Sequence, residues 1–251
     1  MPTPRLQPRL LLSACRAVAG RRRVVCPLVF VLGLGLAAPG CGRKETAVDR
    51  GNREQVLHQG IGAEPQDLDP HLMQTNPHFN VLMALYEGLI NYDPVDLHPV
   101  PGAAERWEIS PDGLTYTFFL RSAARWSNGD PVTAHDFVFS ARRILSPALG
   151  SPYAFYYDVI KGARDFHSGR RADFDQVGIR ALDDHTLRLE LDQPAPYQLF
   201  MLGSFAWMPV HRATVEQHGR FDQPYTGWTR PGVLVTNGAF TLAEWRIGQL
   251  I

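Results

Sequence analysis

Cysteine is missing from most of this chain: Cys15, Cys26 and Cys41 are the only three, and all lie in the first 41 residues. Disulfides, thiolate metal ligation and cysteine nucleophiles are therefore excluded from the body. Acid is missing from the opposite part. Residues 1–41 carry six arginines and no Asp or Glu, so the rest of the chain holds 19 basic groups against 25 acidic ones, a net charge of −6. A mildly acidic body leaves no electrostatic footprint for nucleic acid, and none is expected as a partner. There is no fixed-period repeat. There is no Gly-x-Ser-x-Gly elbow, and no helical histidine pair with a neighbouring Glu. Gly60-Ile61-Gly62 lacks the third glycine and the helix start of a dinucleotide loop. No catalytic residue, no cofactor and no metal site are expected, and the chain reads as a non-enzyme.

The apolar run Val24 to Ala38 falls short of the roughly 18 residues that a spanning helix needs. Preceded by Arg21-Arg22-Arg23 and followed by small residues, it predicts a secretory signal peptide over 1–41. Its exit, Leu36-Ala37-Ala38-Pro39-Gly40-Cys41, resembles a bacterial lipobox, which makes Cys41 the expected lipidation site. Ala38 stands where that motif usually has Leu. Ordinary cleavage and an uncleaved anchor stay open as alternatives. Residues 42–55 are polar and read as a flexible tether.

Strand and helix patterns alternate from Val56 onward, predicting a mixed α/β or α+β body. Val56 to Ile61 reads as a first strand. Asn76-Pro77 opens a helix with Asn as its cap. Trp107 to Ile109 and Leu114 to Arg121 form a hairpin across Ser110-Pro111-Asp112-Gly113, with Tyr116, Phe118 and Leu120 on one face. Thr133 to Asp136 starts a second helix with Asp in the reciprocal capping position. A further hairpin joins 177–182 to 186–191, a short helix runs from His211 to His218, and Asn237-Gly238 turns into a strand over 239–242.

Asp67-Leu68-Asp69, bracketed by Pro65 and Pro70, reads as a turn whose carboxylates bond the backbone. The nine histidines read as scattered surface or turn residues. His211 and His218 would share a helix face, but roughly 10.5 Å apart, too far to chelate one ion. Tyr153 to Tyr157, after Pro152, holds four aromatics in five residues, and composition leaves open whether it is a binding surface or a core plug.

Longer motifs carry a resemblance. Glu64-Pro65-Gln66-Asp67-Leu68-Asp69-Pro70-His71, Leu85-Tyr86-Glu87-Gly88-Leu89, Pro99 to Trp107, Trp126-Ser127-Asn128-Gly129-Asp130-Pro131 and Val235-Thr236-Asn237-Gly238-Ala239 resemble signatures of the peptide/nickel solute-binding proteins, family 5. Ser151-Pro152-Tyr153 and Asp183 to Leu187 are similar to the oligopeptide branch in particular. The likeness implies a periplasmic-binding-protein type II fold of two lobes. The first lobe would comprise 56–86 and 211–251, with an insert lobe over 87–210, and the chain would end before the second lobe. It implies an oligopeptide receptor of an ABC importer, monomeric, periplasmic, lipid-anchored and partnered by the permease and ATPase complex. Tyr153 matches the insert-lobe tyrosine that contacts peptide. Gln74, Thr75 and Asn76 match a first-lobe stretch that pairs with the peptide backbone, although the family has an acidic residue at the Gln74 position. A nickel chelate, haem or cell-wall peptide as ligand, and a fragment with no transport role, remain as rivals.

If Cys41 bears the lipid, Cys41→Ser is expected to release the protein into the soluble fraction or block its processing. Mass spectrometry of the mature N-terminus checks this, and an unmodified Cys41 in a product cleaved elsewhere refutes it.

Overall fold

The computed structural model of the chain describes residues 45–57, 59–73 and 75–251, with Asn76 and Pro77 described by their backbone alone. These residues fall in two units that part between His58 and Gln59. In the first, helix α1 (Ala47–Glu54) occupies the stretch that composition assigns to a tether. Its start is fixed by a capping box: Thr46 accepts from the Asp49 N–H while the Asp49 carboxylate bonds back to the Thr46 N–H. Two of the orphan donors of a helix start are satisfied this way. Arg53 reaches back to Glu45, which closes the turn from outside.

The strand expected at Val56 to Ile61 does not form. Its described residues pair with no ladder, and Val56 and Leu57 stand exposed. Alternation alone does not make a strand without a partner for its backbone groups.

In the second unit, helix α2 (Asn76–Leu85) starts one residue earlier than predicted, with Thr75 and not Asn76 at the cap. A small ribbon follows, β1 (Ile90–Tyr92) antiparallel to β2 (Pro99–Pro101). The main sheet has four antiparallel strands, β3 (Ala104–Ile109), β4 (Thr115–Leu120), β5 (Ile179–Asp183) and β6 (Thr186–Glu190), in the order β3-β4-β6-β5. Both predicted hairpins are present. Gly113, at φ 70°, supplies the left-handed residue that closes the first turn, and its N–H bonds to the Ser110 carbonyl at 2.8 Å.

Tyr116, Phe118 and Leu120 of β4 and Leu187 and Leu189 of β6 are buried on one face. Helix α3 (Ala134–Leu145) lies against β5 and β6 and buries Phe137, Ala141 and Ile144. Asp136 accepts from the backbone N–H and the hydroxyl of Thr133, so aspartate does serve in the reciprocal capping position. Short helices α4 (Ala163–His167), α5 (Gln198–Met201) and α6 (Arg212–His218) complete the fold.

The strand predicted at 239–242 is replaced by a clamp. Asn237 Oδ1 accepts from the Glu87 N–H at 3.1 Å and its Nδ2 donates to the Glu87 carbonyl at 2.8 Å. The N–H groups of Gly238 and Phe240 donate to the carbonyls of Leu85 and Ala84 at the end of α2. These donors are used on helix carbonyls, so no ladder continues. A Cβ at Gly238 would lie 2.5 Å from the Leu85 carbonyl carbon, which reserves the position for glycine.

Beneath these elements lies a charge with no surface. Arg143, on α3, is 0% exposed. Its guanidinium grips Asp69 through Nη1 at 2.9 Å and Nη2 at 2.5 Å, donates from Nη1 to His71 Nδ1 at 2.9 Å, and donates from Nε to the Phe221 carbonyl at 2.8 Å. The His71 ring donates its other N–H to the Met208 carbonyl at 3.1 Å. Asp67 caps the turn beside it, accepting from the Asp69 N–H and the Thr229 hydroxyl. The two aspartates therefore bond the backbone as predicted, and one of them also carries the buried ion pair. His71, His78 and His211 are buried, which corrects the reading of the histidines as surface groups.

Burial and then the neighbouring guanidinium push His71 down to about 4. Burial alone would raise Asp69, but the Arg143 charge and hydrogen bonds outweigh it, and its carboxyl titrates below the ordinary range. A histidine depressed on folding contributes stability in full above about pH 6.5 and loses it as pH falls toward 4. The shift corresponds to about 3 kcal/mol. Asp67, raised mainly by burial, works in the opposite sense at the acid end of this window. His71→Gln keeps a donor and an acceptor but does not titrate. The variant is expected to flatten the fall in unfolding free energy between pH 6.5 and 4, as measured by urea melts across that range.

Candidate ligand-binding site

The aromatic segment is split in its roles. Ala154–Tyr157 is a single 3-10 turn, so successive side chains point in different directions. Tyr157 turns inward. Its ring stacks on Trp207 with centroids 3.7 Å apart, and its hydroxyl donates to the Ala206 carbonyl at 3.0 Å. Burial drives that phenol far above its ordinary range. Tyr153 and Tyr156 are half-buried, and Phe155 is 58% exposed. The core-plug reading of this segment holds for Tyr157, while the other three rings are left partly or largely open to solvent.

Tyr153 stands edge-on to Phe205, with ring centroids 4.6 Å apart. Phe205 also meets Phe79 of α2 at 6.3 Å and Tyr156 at 6.3 Å. A rim continues nearby in Tyr92, which packs at 4.8 Å on Phe200 and donates to its carbonyl at 2.6 Å. Burial and then the Tyr156 phenol raise the Tyr92 hydroxyl. Such edge-on and offset pairs fix ring orientation beyond what area burial does. The result is a wall of rings from four stretches of chain, its outer members left open.

Among the predicted site residues, Tyr153 is on this wall. Thr75 is exposed at the start of α2, and its side chain makes no capping bond. Phe205 bridges Tyr153 to Phe79, one turn along the helix that Thr75 opens. Gln74, the Asn76 side chain and Cys41 lie outside the described residues. Sequence reasoning missed Phe205 and the Tyr92–Phe200 pair. Their only signal was aromatic composition, and the contacts join residues about 50 to 125 positions apart.

Two other constellations have the look of chemistry. His211 Nε2 donates to Asp130 at 3.0 Å and its Nδ1 lies 2.8 Å from the Thr214 hydroxyl, an Asp–His–hydroxyl relay. Thr214 is only 6% exposed, and the same imidazole nitrogen caps the Thr214 N–H of α6, so the relay ends a helix and reaches no substrate. Asp93, Asp96 and His98 converge on the exposed turn between β1 and β2, with donor atoms within 4.8 Å of one another. A shallow cleft of about 270 Å³ lies elsewhere, beside the Asn237 clamp, lined by Glu87, Arg121, Arg125 and Asn237 among others. Glu87 and Arg121 pair within it.

The chain belongs to the bacterial extracellular solute-binding proteins, family 5, whose middle-region profile matches residues 98–251. It is 42% identical over 200 residues to the periplasmic oligopeptide-binding protein OppA of Escherichia coli (strain K12), covering 79% of this chain and 35% of that one. It is 36% identical over 200 residues to the probable deoxycholate-binding periplasmic protein YgiS of the same organism, covering 79% and 36%. The crystal structure of Haemophilus influenzae OppA in complex with RPPGFSPFR superimposes with a TM-score of 0.69 at 40% identity, covering 75% of this chain and 36% of that one. The chain thus spans about a third of the length of the relatives it matches. Among the described residues no helix is long and apolar enough to cross a membrane.

Tyr157→Ala is expected to cost about 3–5 kcal/mol of unfolding free energy, the range for deleting a buried aromatic. Tyr153→Ala should cost less than half of that. Guanidinium melts of the two variants check the division of the segment into core and surface.

Proposed function

We propose that the chain is the peptide-contacting first part of an oligopeptide receptor serving an ABC importer at the outer face of the bacterial inner membrane. The observation that carries the reading is the wall of Tyr153, Phe155 and Tyr156 on Phe205, open to solvent and adjoining α2. Rings tolerate many ligand side chains by stacking, while an extended ligand backbone can satisfy its own groups against the exposed Thr75 and its neighbours Gln74 and Asn76. Broad peptide acceptance is the natural outcome of that division of labour. The relatives support it in their names, since OppA is an oligopeptide-binding protein.

In this reading residues 56–86 and 211–251 contribute to one lobe and 87–210 form an insert. Ligand would be held between this part and a second lobe closing on it. The protein would act as a monomer, anchored through Cys41, with the permease and ATPase complex as partner, and would catalyse nothing. One relative gives a second reading: YgiS is described as a probable deoxycholate binder, and a steroid would also lie against a ring wall.

Titration of the chain with RPPGFSPFR, followed by NMR, tests the proposal. Saturable binding in about the millimolar range is expected, because one wall supplies few contacts to offset association entropy. Tyr153→Ala should weaken it by about 1–2 kcal/mol. Unchanged peptide binding in the variant refutes the site, and saturable binding of deoxycholate with none of peptide favours the second reading.

A further inference from the structure

The two flanks of the aromatic wall are held by one buried residue. Ser151, two positions before Tyr153, donates its hydroxyl to the His71 carbonyl at 2.7 Å, and that same oxygen accepts the Tyr153 N–H at 3.2 Å. The backbone beneath the Tyr153 ring is therefore pinned to His71. The opposite flank is Phe205, the ring on which Tyr153 rests. Its 3-10 turn, Phe205–Trp207, closes with the Met208 N–H on the Phe205 carbonyl at 3.1 Å, and the Met208 carbonyl accepts from His71 Nε2.

One residue thus holds Tyr153 through its main chain and Phe205 through its side chain. The ring can hold Met208 only as the tautomer protonated at Nε2, and the Arg143 guanidinium, donating to Nδ1, selects that tautomer.

We infer that His71 is the positioning residue of the aromatic wall, setting the spacing of Tyr153 and Phe205 by bonding both flanks at once. The inference rests on the peptide-binding reading for its purpose but not for its geometry. The groups facing the imidazole are Asp69 and Arg143, both buried, with Asp67 acting on Asp69 from the same turn and the Tyr86 hydroxyl bonded to the Leu68 carbonyl. From the 205–208 turn it bonds the Met208 carbonyl, and Asp222, next to the Phe221 that Arg143 bonds, accepts from Ser146. Protonation would put a second cation against Arg143 and remove the acceptor that Arg143 uses. Both flanks should then loosen together.

Amide hydrogen exchange on the unliganded chain tests the geometry, and peptide titration tests its purpose. In Ser151→Ala, exchange at the Tyr153 to Tyr157 amides should quicken about tenfold while the 205–208 amides and the unfolding midpoint hold. In His71→Ala both segments should quicken together, and His71→Gln, which keeps the donor to Met208, should restore the 205–208 segment. In wild type, lowering the pH from 7 to about 4 should lower the protection factors of both segments in step, relative to the slower intrinsic exchange at acid pH, and in His71→Gln it should not. Exchange that changes at neither segment in Ser151→Ala, or acid loosening that persists unchanged in His71→Gln, overturns the assignment. If His71→Ala fails to fold, Ser151→Ala and the pH comparison still decide it. If exchange responds as expected but RPPGFSPFR does not bind wild type, the positioning role stands and the peptide reading falls.

Discussion

Arg143 brings a full positive charge to a place where no water reaches it, and much of the structure around it is the answer to that charge. A buried guanidinium is tolerated only when its donors are matched and an anion stands opposite. Here the matches to a residue of α3 come from two separate stretches: Asp69 and His71 from the opening segment and the Phe221 carbonyl from the returning one. Trp228 adds a ring face 5.5 Å from the guanidinium carbon. Removing either member of such a pair leaves an uncompensated charge, which typically costs about 3–5 kcal/mol. The opening segment has little regular structure, so this polar knot, more than any ladder, fixes where it runs. The aromatic wall inherits its geometry from the same knot.

What could be read in the sequence was mostly local. The hairpin faces follow from a two-residue period, the α3 cap from Thr133 and Asp136, and the closing of α6 from Gly219. All of these depend on neighbours a few positions away. The strands expected at Val56 to Ile61 and at 239–242 failed for one reason: a strand is defined by its partner, and partners are not written in the strand. The segment after Asn237 shows the point, because the N–H groups of Gly238 and Phe240 found the helix carbonyls of Leu85 and Ala84, some 150 residues away.

The candidate site divides in the same way. Tyr153 stood out through its aromatic neighbours and through likeness to a family. Phe205, which gives the Tyr153 ring its orientation, and Ser151, which holds its backbone, could not be found by spacing. Histidine 71 was read as one scattered histidine among nine, since neither its burial nor its bond to Arg143, 72 positions on, leaves a mark in the local sequence. The Asp–His–Thr relay at His211 is the converse case. It combines residue types that mark catalysis elsewhere, and only the burial of the hydroxyl reveals a helix cap.

The Asn237 clamp also constrains the order of events during folding. Its two bonds close a loop of about 150 residues, and closing a loop of that size in an unstructured chain carries an entropy penalty that local hairpins avoid. The four-stranded sheet and α3 lie wholly inside that loop, so once they collapse the effective separation of Glu87 and Asn237 shrinks to the width of a folded body. On a chain emerging from a ribosome, Glu87 waits through the synthesis of everything that brings it and Asn237 together. The clamp is then a late bond, placed to slow unfolding more than to speed folding.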